Sequence, residues 1–258
     1  MGRFKEIWDY REMIISLVKR DLKSKYKGSV LGFFWMILNP LLQLCVYTIV
    51  FSVIMRMNID KYYLFMFVAF IPWLFFSTCL SGGTGAVFNQ QDMVKKIYFP
   101  REVLPISFTI SQFVNMMLSF VVVFAAVFIS GIKISLQALL CLPVIMIIEF
   151  TLCLGITYIT SALDVYFRDM GYMMNIVAMA LVYLTPVFYS ETMVPEKFMN
   201  LFYLNPMTPI TMAYRDILYY GRMPQLNDLR MATLIGIVVL ILGHVIFWKL
   251  QKHFIEEL

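Results

Sequence analysis

The 28 residues 136–163 carry one charged side chain, Glu149. A helix over that stretch is about 42 Å long at 1.5 Å per residue, more than the ~30 Å hydrocarbon core of a bilayer. Comparable apolar runs recur near 31–55, 63–80, 107–130, 173–189 and 231–250, spread along the whole chain rather than gathered at one end. They predict an all-α membrane protein with six transmembrane helices, which puts both termini on the same side. Composition agrees: 61% of the residues are hydrophobic and 14% charged, against roughly half and a quarter in soluble domains.

Charge placement orients the bundle. Of the 21 Lys and Arg, fourteen fall on the segments that share a side with the N-terminus and seven on the opposite segments. The positive-inside rule therefore predicts cytoplasmic termini. The net charge of +5 is concentrated beside apolar runs, where it serves topology and anionic headgroups better than nucleic acid. Five of the basic residues, Lys19, Arg20, Lys23, Lys25 and Lys27, stand directly before the first span. Upstream, Ile7, Tyr10, Ile14, Leu17, Val18 and Leu22 share a helical face, with Lys5, Glu12, Ser16, Lys19 and Lys23 opposite, and Arg11 and Asp21 interrupt the pattern. The spacing predicts an amphipathic helix in the membrane interface, turning into the bundle at Gly28; a solvated helix packed on a partner is the alternative. The first thirty residues are charged and the following run is longer than a signal-peptide core, so the first span is expected to remain as an anchor.

The segment 190–230 holds two apolar pieces, each too short to cross, divided by Asn205-Pro206. Proline breaks the helix there, and two short helices dipping partway in are expected, lining a pathway rather than facing lipid. An interfacial cap is the other possibility. Glu149 sits thirteen residues into its span, where a charge costs at least ~2.5 to 3.5 kcal/mol. It must face the interior, either hydrogen-bonded to Gln112, Asn115 or Asn175 or in an ionic role.

Catalytic chemistry is poorly supported. There are two His, His244 and His253, and the four Cys fall singly inside apolar runs, suggesting neither disulfides nor a metal site. "SGGTGAVF" at 81–88 lacks the Gly-Lys-Ser/Thr of a phosphate-cradling loop, so ATP-driven movement would need an ATPase on another chain. Two cytoplasmic segments are built for contact. In 89–105, charges mix with Ile97, Tyr98 and Phe99, and Pro100 and Pro105 punctuate the segment, suiting a short helix and turn, while 164–170 places Arg168 and Asp169 at a helix end. Aromatic residues, 16% of the chain, form interfacial belts, yet rings also stack on sugars. Trp35, Tyr47, Phe51, Tyr183, Phe188 and Tyr189 are the candidates for lining a carbohydrate pathway.

Three segments, "RDLKSKYKGSVLGFFWMILNPLLQLCVYTIVFS", "KKIYFPREVLP" with "VYFRD", and "LNPMTPI", together resemble the permease subunits of type-two ABC exporters that move polysaccharides such as O-antigen, capsule and teichoic acid. The resemblance runs over nearly the whole chain. It implies a single transmembrane domain over 1–258, with an interfacial helix in 1–30, a six-span bundle in 31–250 and a cytoplasmic tail in 251–258. It also implies a homodimer in the bacterial plasma (inner) membrane with two copies of an ATP-binding subunit, which would hold ATP and magnesium while this chain binds no cofactor. Residues 89–105 match the family's coupling helix, giving Gln91, Asp92, Lys95, Lys96, Phe99, Pro100, Arg101 and Glu102 as ATPase contacts, with Arg168 and Asp169 making a further one. Two re-entrant helices match 195–220. The implied substrate is a polymer on a lipid carrier, whose phosphates the Lys19, Arg20, Lys23, Lys25 and Lys27 cluster would attract. An exporter of a drug, lipid or peptide, a proton-coupled transporter using Glu149, and a membrane glycosyltransferase remain as alternatives.

Overall fold

The protein's structure, a computed structural model, describes residues 3–24, 28 and 32–258. Among these, every regular element is helical. The amphipathic stretch forms α1 (Arg3–Asp9) and α2 (Arg11–Ser24), parted by a turn at Tyr10. Gly28, at φ +86°, adopts the left-handed conformation that glycine tolerates best. The first span is α3 (Trp35–Thr48), extended by a π-helical turn, Ile49–Ile54.

The second span, α4 (Tyr62–Ser77, continued to Gly82), is apolar all round and buried almost throughout, the mark of a helix at the centre of a bundle. Two short helices, α5 (Gly85–Phe88) and α6 (Gln91–Lys96), lead into α7 (Val103–Ser130). Gly131, at φ +70°, ends α7 with a left-handed cap, and the Lys61 ammonium donates to the Ser130 carbonyl at 2.8 Å. The chain then descends as α8 (Leu136–Tyr166).

Next come α9 (Met170–Leu184), α10 (Met199–Leu204), α11 (Met207–Leu218), α12 (Leu226–Leu250) and the short α13 (Phe254–Glu257). Among the described residues, five helices are long and apolar enough to cross a membrane. The expected fifth span, 173–189, is instead the shorter α9, about 22 Å long at 1.5 Å per residue. Pro186, lacking an N–H, ends it early, and residues 185–188 continue as buried non-helical chain.

The tightest packing joins α8 to α12. A Cβ on Gly155 would lie 2.6 Å from the Leu240 nitrogen, and one on Gly243 would lie 2.2 Å from the Gly155 carbonyl oxygen. Small residues let two backbones approach this closely, which is how dispersion holds helices together in lipid.

Candidate functional site

The expected re-entrant pair is α10 and α11, with Asn205-Pro206 between them. Every residue of α11 is buried, and it packs on α4, α8 and α12. Its Tyr214 hydroxyl donates to Glu149 Oε2 at 2.7 Å. That replaces the Gln112, Asn115 and Asn175 partners expected for Glu149, because α11 fills the space beside α8 at this depth. Glu149 Oε1 has no hydrogen-bond partner among the described residues. A Glu149→Gln variant is expected to keep the Tyr214 bond and unfold within about 1 kcal/mol of the parent, whereas Glu149→Leu strands a buried hydroxyl and costs about 1–3 kcal/mol. Thermal unfolding in mild detergent reads the difference, and equal losses in both variants would point to an ionic role.

Non-helical backbone at membrane depth needs donors and acceptors supplied by protein. Arg215, 4% exposed, supplies the donors: Nη2 to the Val187 carbonyl at 2.7 Å, Nη1 to the Tyr189 carbonyl at 3.1 Å and Nε to the Phe65 carbonyl at 3.3 Å. Its guanidinium lies 3.5 Å from the Phe65 ring centroid. Asn205 donates to Thr185 Oγ1 at 2.7 Å and accepts the Met207 N–H at 3.0 Å, so one side chain both caps α11 and holds the end of α9. Neither residue stood among the sequence candidates.

The coupling candidates gather at the opposite end of the bundle. Leu17 of α2 packs with Val87, Val94, Phe99, Val103, Leu104, Phe247 and Phe254, while Trp8 and Ile15 stay exposed. The apolar face of the amphipathic helix is therefore spent largely on this chain's own core. Arg20 donates to Gln90 at 2.7 Å, tying α2 to the residue before α6. Lys19 and Lys23 are exposed, and Lys25 and Lys27 lie outside the described residues.

Within the segment itself the side chains divide. Asp92, Lys95 and Lys96 are exposed and Gln91 is half-buried, with Lys96 and Asp92 3.8 Å apart. Phe99, Pro100 and Glu102 face inward, and the exposed pair is Ile97 and Tyr98, 60% and 87% exposed. Arg101 donates to the Gln251 carbonyl, and Gln251 Nε2 donates to Glu102 at 3.1 Å. Burial pushes the Arg101 guanidinium below its ordinary pKa, with the Glu102 carboxylate opposing the shift. Tyr166 donates to the Leu250 carbonyl at 2.8 Å and Phe254 is fully buried, so the C-terminal turn is latched beneath the coupling segment.

Arg168 and Asp169 are exposed at the head of α9, and the Arg168 guanidinium lies 4.5 Å from the Phe88 ring centroid, which brings the two candidate contact segments together. A groove of about 580 Å³ opens between the coupling segment and the C-terminal turn, bordered by Lys95, Lys96, Tyr98, Trp248, Lys252 and Ile255. Basic and apolar at once, it suits an acidic partner surface with an apolar centre.

The aromatic candidates fall at two levels. Phe51 stacks on Phe188 at 4.9 Å, with Tyr47 at 5.1 Å and Tyr183 at 6.1 Å from the same ring, beside the Arg215 cluster. Tyr189 packs on Phe202 at 6.5 Å. Trp35 stands apart, on a groove of about 410 Å³ between α3, α4 and α7. Half of its lining is amides and hydroxyls, Asn39 and Gln43 from α3, Thr78 from α4, and Gln112, Asn115 and Ser119 from α7, and the rest is apolar, with Ile71, Phe75 and Met116 among it. Among the described residues no group of three or more metal-ligating side chains occurs.

Comparison with known proteins agrees with this architecture. The family model described as "ABC-2 type transporter" matches residues 12–219. An O-antigen export system permease protein of Myxococcus xanthus is 34% identical over 98% of this chain and 98% of its own length. A protein of the same name from Klebsiella pneumoniae is 30% identical over 96% of this chain and 95% of its own. With a bundle of apolar helices, a family match over most of its length and relatives that align almost end to end, the chain belongs to the ABC-2 type transporter family, as a multi-pass protein of the bacterial inner membrane.

Proposed function

We propose that this chain is the membrane-spanning subunit of an ATP-driven exporter that carries a lipid-linked polysaccharide of the O-antigen kind from the cytoplasm to the outer side of the inner membrane. It acts as a single transmembrane domain with six spans, α9 among them, and cytoplasmic termini. Two copies pair with each other and with two copies of an ATP-binding subunit, which holds the ATP and magnesium. The substrate class is drawn from what the relatives are named for. The driving mechanism is drawn from the groove between the coupling segment and the C-terminal turn.

The observation that carries the reading is the exposed Ile97-Tyr98 pair among Lys95, Lys96 and Lys252, on a segment anchored by Phe99 and by the Arg101–Gln251–Glu102 contacts. An exposed aromatic and aliphatic pair framed by cations is how an interface centre looks before its partner arrives. The anchoring means that a push on this pair is delivered to the ends of α7 and α12. A second contact, at Arg168 and Asp169, delivers it to α9.

Replacing Ile97 and Tyr98 together by Asp is expected to lower co-purification of the ATP-binding subunit at least tenfold, or about 1.4 kcal/mol. Amounts of the chain in the membrane should stay level, since both side chains point away from the core. Undiminished co-purification would overturn the docking assignment. Deleting the gene should remove a long-chain polysaccharide from the cell surface and leave lipid-linked polymer inside, and a full surface complement would overturn the substrate class.

A further inference from the structure

We infer that the groove between α3, α4 and α7 is a binding site for a neutral, hydroxyl-bearing sugar ring carried on a membrane lipid. The inference rests on the exporter reading above and gives that reading a place where sugar is recognised within one protomer. Three observations support it. The first is depth: Gln112 and Ser119 lie nine and sixteen residues into α7, roughly 14 to 24 Å from its start at 1.5 Å per residue. The polar lining therefore lies within the hydrocarbon thickness, where Ser119 donates to the Asn115 carbonyl at 3.0 Å and Gln112 is held by its own partners, so the amides stand at fixed positions.

The second is chemistry. Four amides, Asn39, Gln43, Gln112 and Asn115, line the groove with no charged side chain among its walls. Amides offer a donor and an acceptor each, the pattern that hydroxyls match, whereas a phosphate would call for cations. Trp35, 40% exposed at the rim, adds a flat apolar face of the kind that stacks on a sugar's C–H surface. The third is incomplete pairing. Gln43 donates to Asn39 at 3.0 Å and Asn115 to Gln112 at 3.4 Å, yet Asn115 Oδ1 is buried and finds no partner among the described residues. A buried acceptor without a donor is what an arriving hydroxyl would satisfy.

The groove also joins the cytoplasmic surface by an unbroken polar contact. Gln112 donates to Asp21 of α2 at 3.4 Å, and Arg20 beside it holds Gln90 ahead of the coupling helix. A sugar bound here would therefore sit next to the elements that meet the ATP-binding subunit.

The test uses the whole permease–ATPase complex in nanodiscs and three probe lipids: polyprenyl diphosphate bearing one N-acetylglucosamine, polyprenyl diphosphate without sugar, and glucosyl diacylglycerol. Retention is read by native mass spectrometry. Both sugar-bearing lipids should be retained about tenfold better than the sugar-free one, the scale set by a pair of hydrogen bonds. The Gln43→Leu and Asn115→Leu variants, made singly and together, should erase that preference while the sugar-free lipid is held as before. Gln43 is only half-buried, so its variant tests the site even where Asn115→Leu disturbs folding. Retention that follows the diphosphate alone, or a sugar preference that survives Gln43→Leu, overturns the site. A preference erased by the variants in a complex whose ATPase no lipid-linked sugar stimulates leaves the site standing and counts against the exporter reading instead.

Discussion

Replacing Gly155 with valine is expected to reduce the folded protein recovered from membranes to less than about a tenth of normal. Its missing Cβ is what allows α8 to touch α12: the new carbon would meet the Leu240 nitrogen at 2.6 Å and the Val239 carbonyl carbon at 2.7 Å. These are backbone atoms and cannot turn aside as a side chain would. The helices would have to separate along their whole seam, exposing close-packed surfaces that no hydrophobic effect drives back together in lipid. Gly236 provides the control, because a Cβ there would find its nearest neighbour at 3.5 Å, an ordinary contact, and Gly236→Ala should be recovered normally. Size-exclusion profiles in mild detergent measure both. A well-behaved Gly155→Val protein would show that the seam is looser than its geometry.

Arg215→Leu is the second large effect. The Val187 and Tyr189 carbonyls, in non-helical chain, lose their donor, while the Phe65 carbonyl keeps its place in the α4 ladder, and each group left unsatisfied costs about 1–3 kcal/mol. The total is expected to be about 2 kcal/mol or more, which at 2–4 °C per kcal/mol lowers the Tm by about 4 °C or more. Lysine should rescue little, since one ammonium cannot present the fixed fork that reaches three acceptors on two segments. Proteolysis at residues 185–206 should accelerate in the same variants. Unchanged cleavage would mean that Asn205 alone secures the segment.

Five of the six expected spans were legible because a long apolar run in lipid has few solutions, while the fifth, 173–189, gave only the shorter α9. α7 and α8 begin and end within a few residues of the pattern, and Asn205-Pro206 divides the re-entrant pair where proline chemistry requires. The partners were not legible. Gly155 and Gly243 stand in different spans, and nothing in one sequence says that two isolated glycines meet. Arg215 read as one more positive residue on an outer segment, when the telling sign was a cation inside the apolar piece "PITMAYRDILYY", downstream of a proline that leaves carbonyls unpaired. At the proposed coupling segment, composition marked a stretch without sorting its side chains. Which side chains turn inward depends on the buried cluster that Phe99 joins with Leu17 and Phe247, residues of helices far apart in the chain.

The α8–α12 seam also bears on motion. Two backbones in direct contact can neither slide nor part by degrees, because a packed interface has discrete arrangements rather than a continuum. α8 and α12 therefore travel as one rigid body, and α11, pinned by Tyr214 to Glu149, travels with them. α3 is largely exposed along its length, and α9 is held by one edge against α8 and the end of α4. A change of shape is therefore expected to fall on the contacts that α3 and α9 make, with the α8–α12 pair kept intact as the frame.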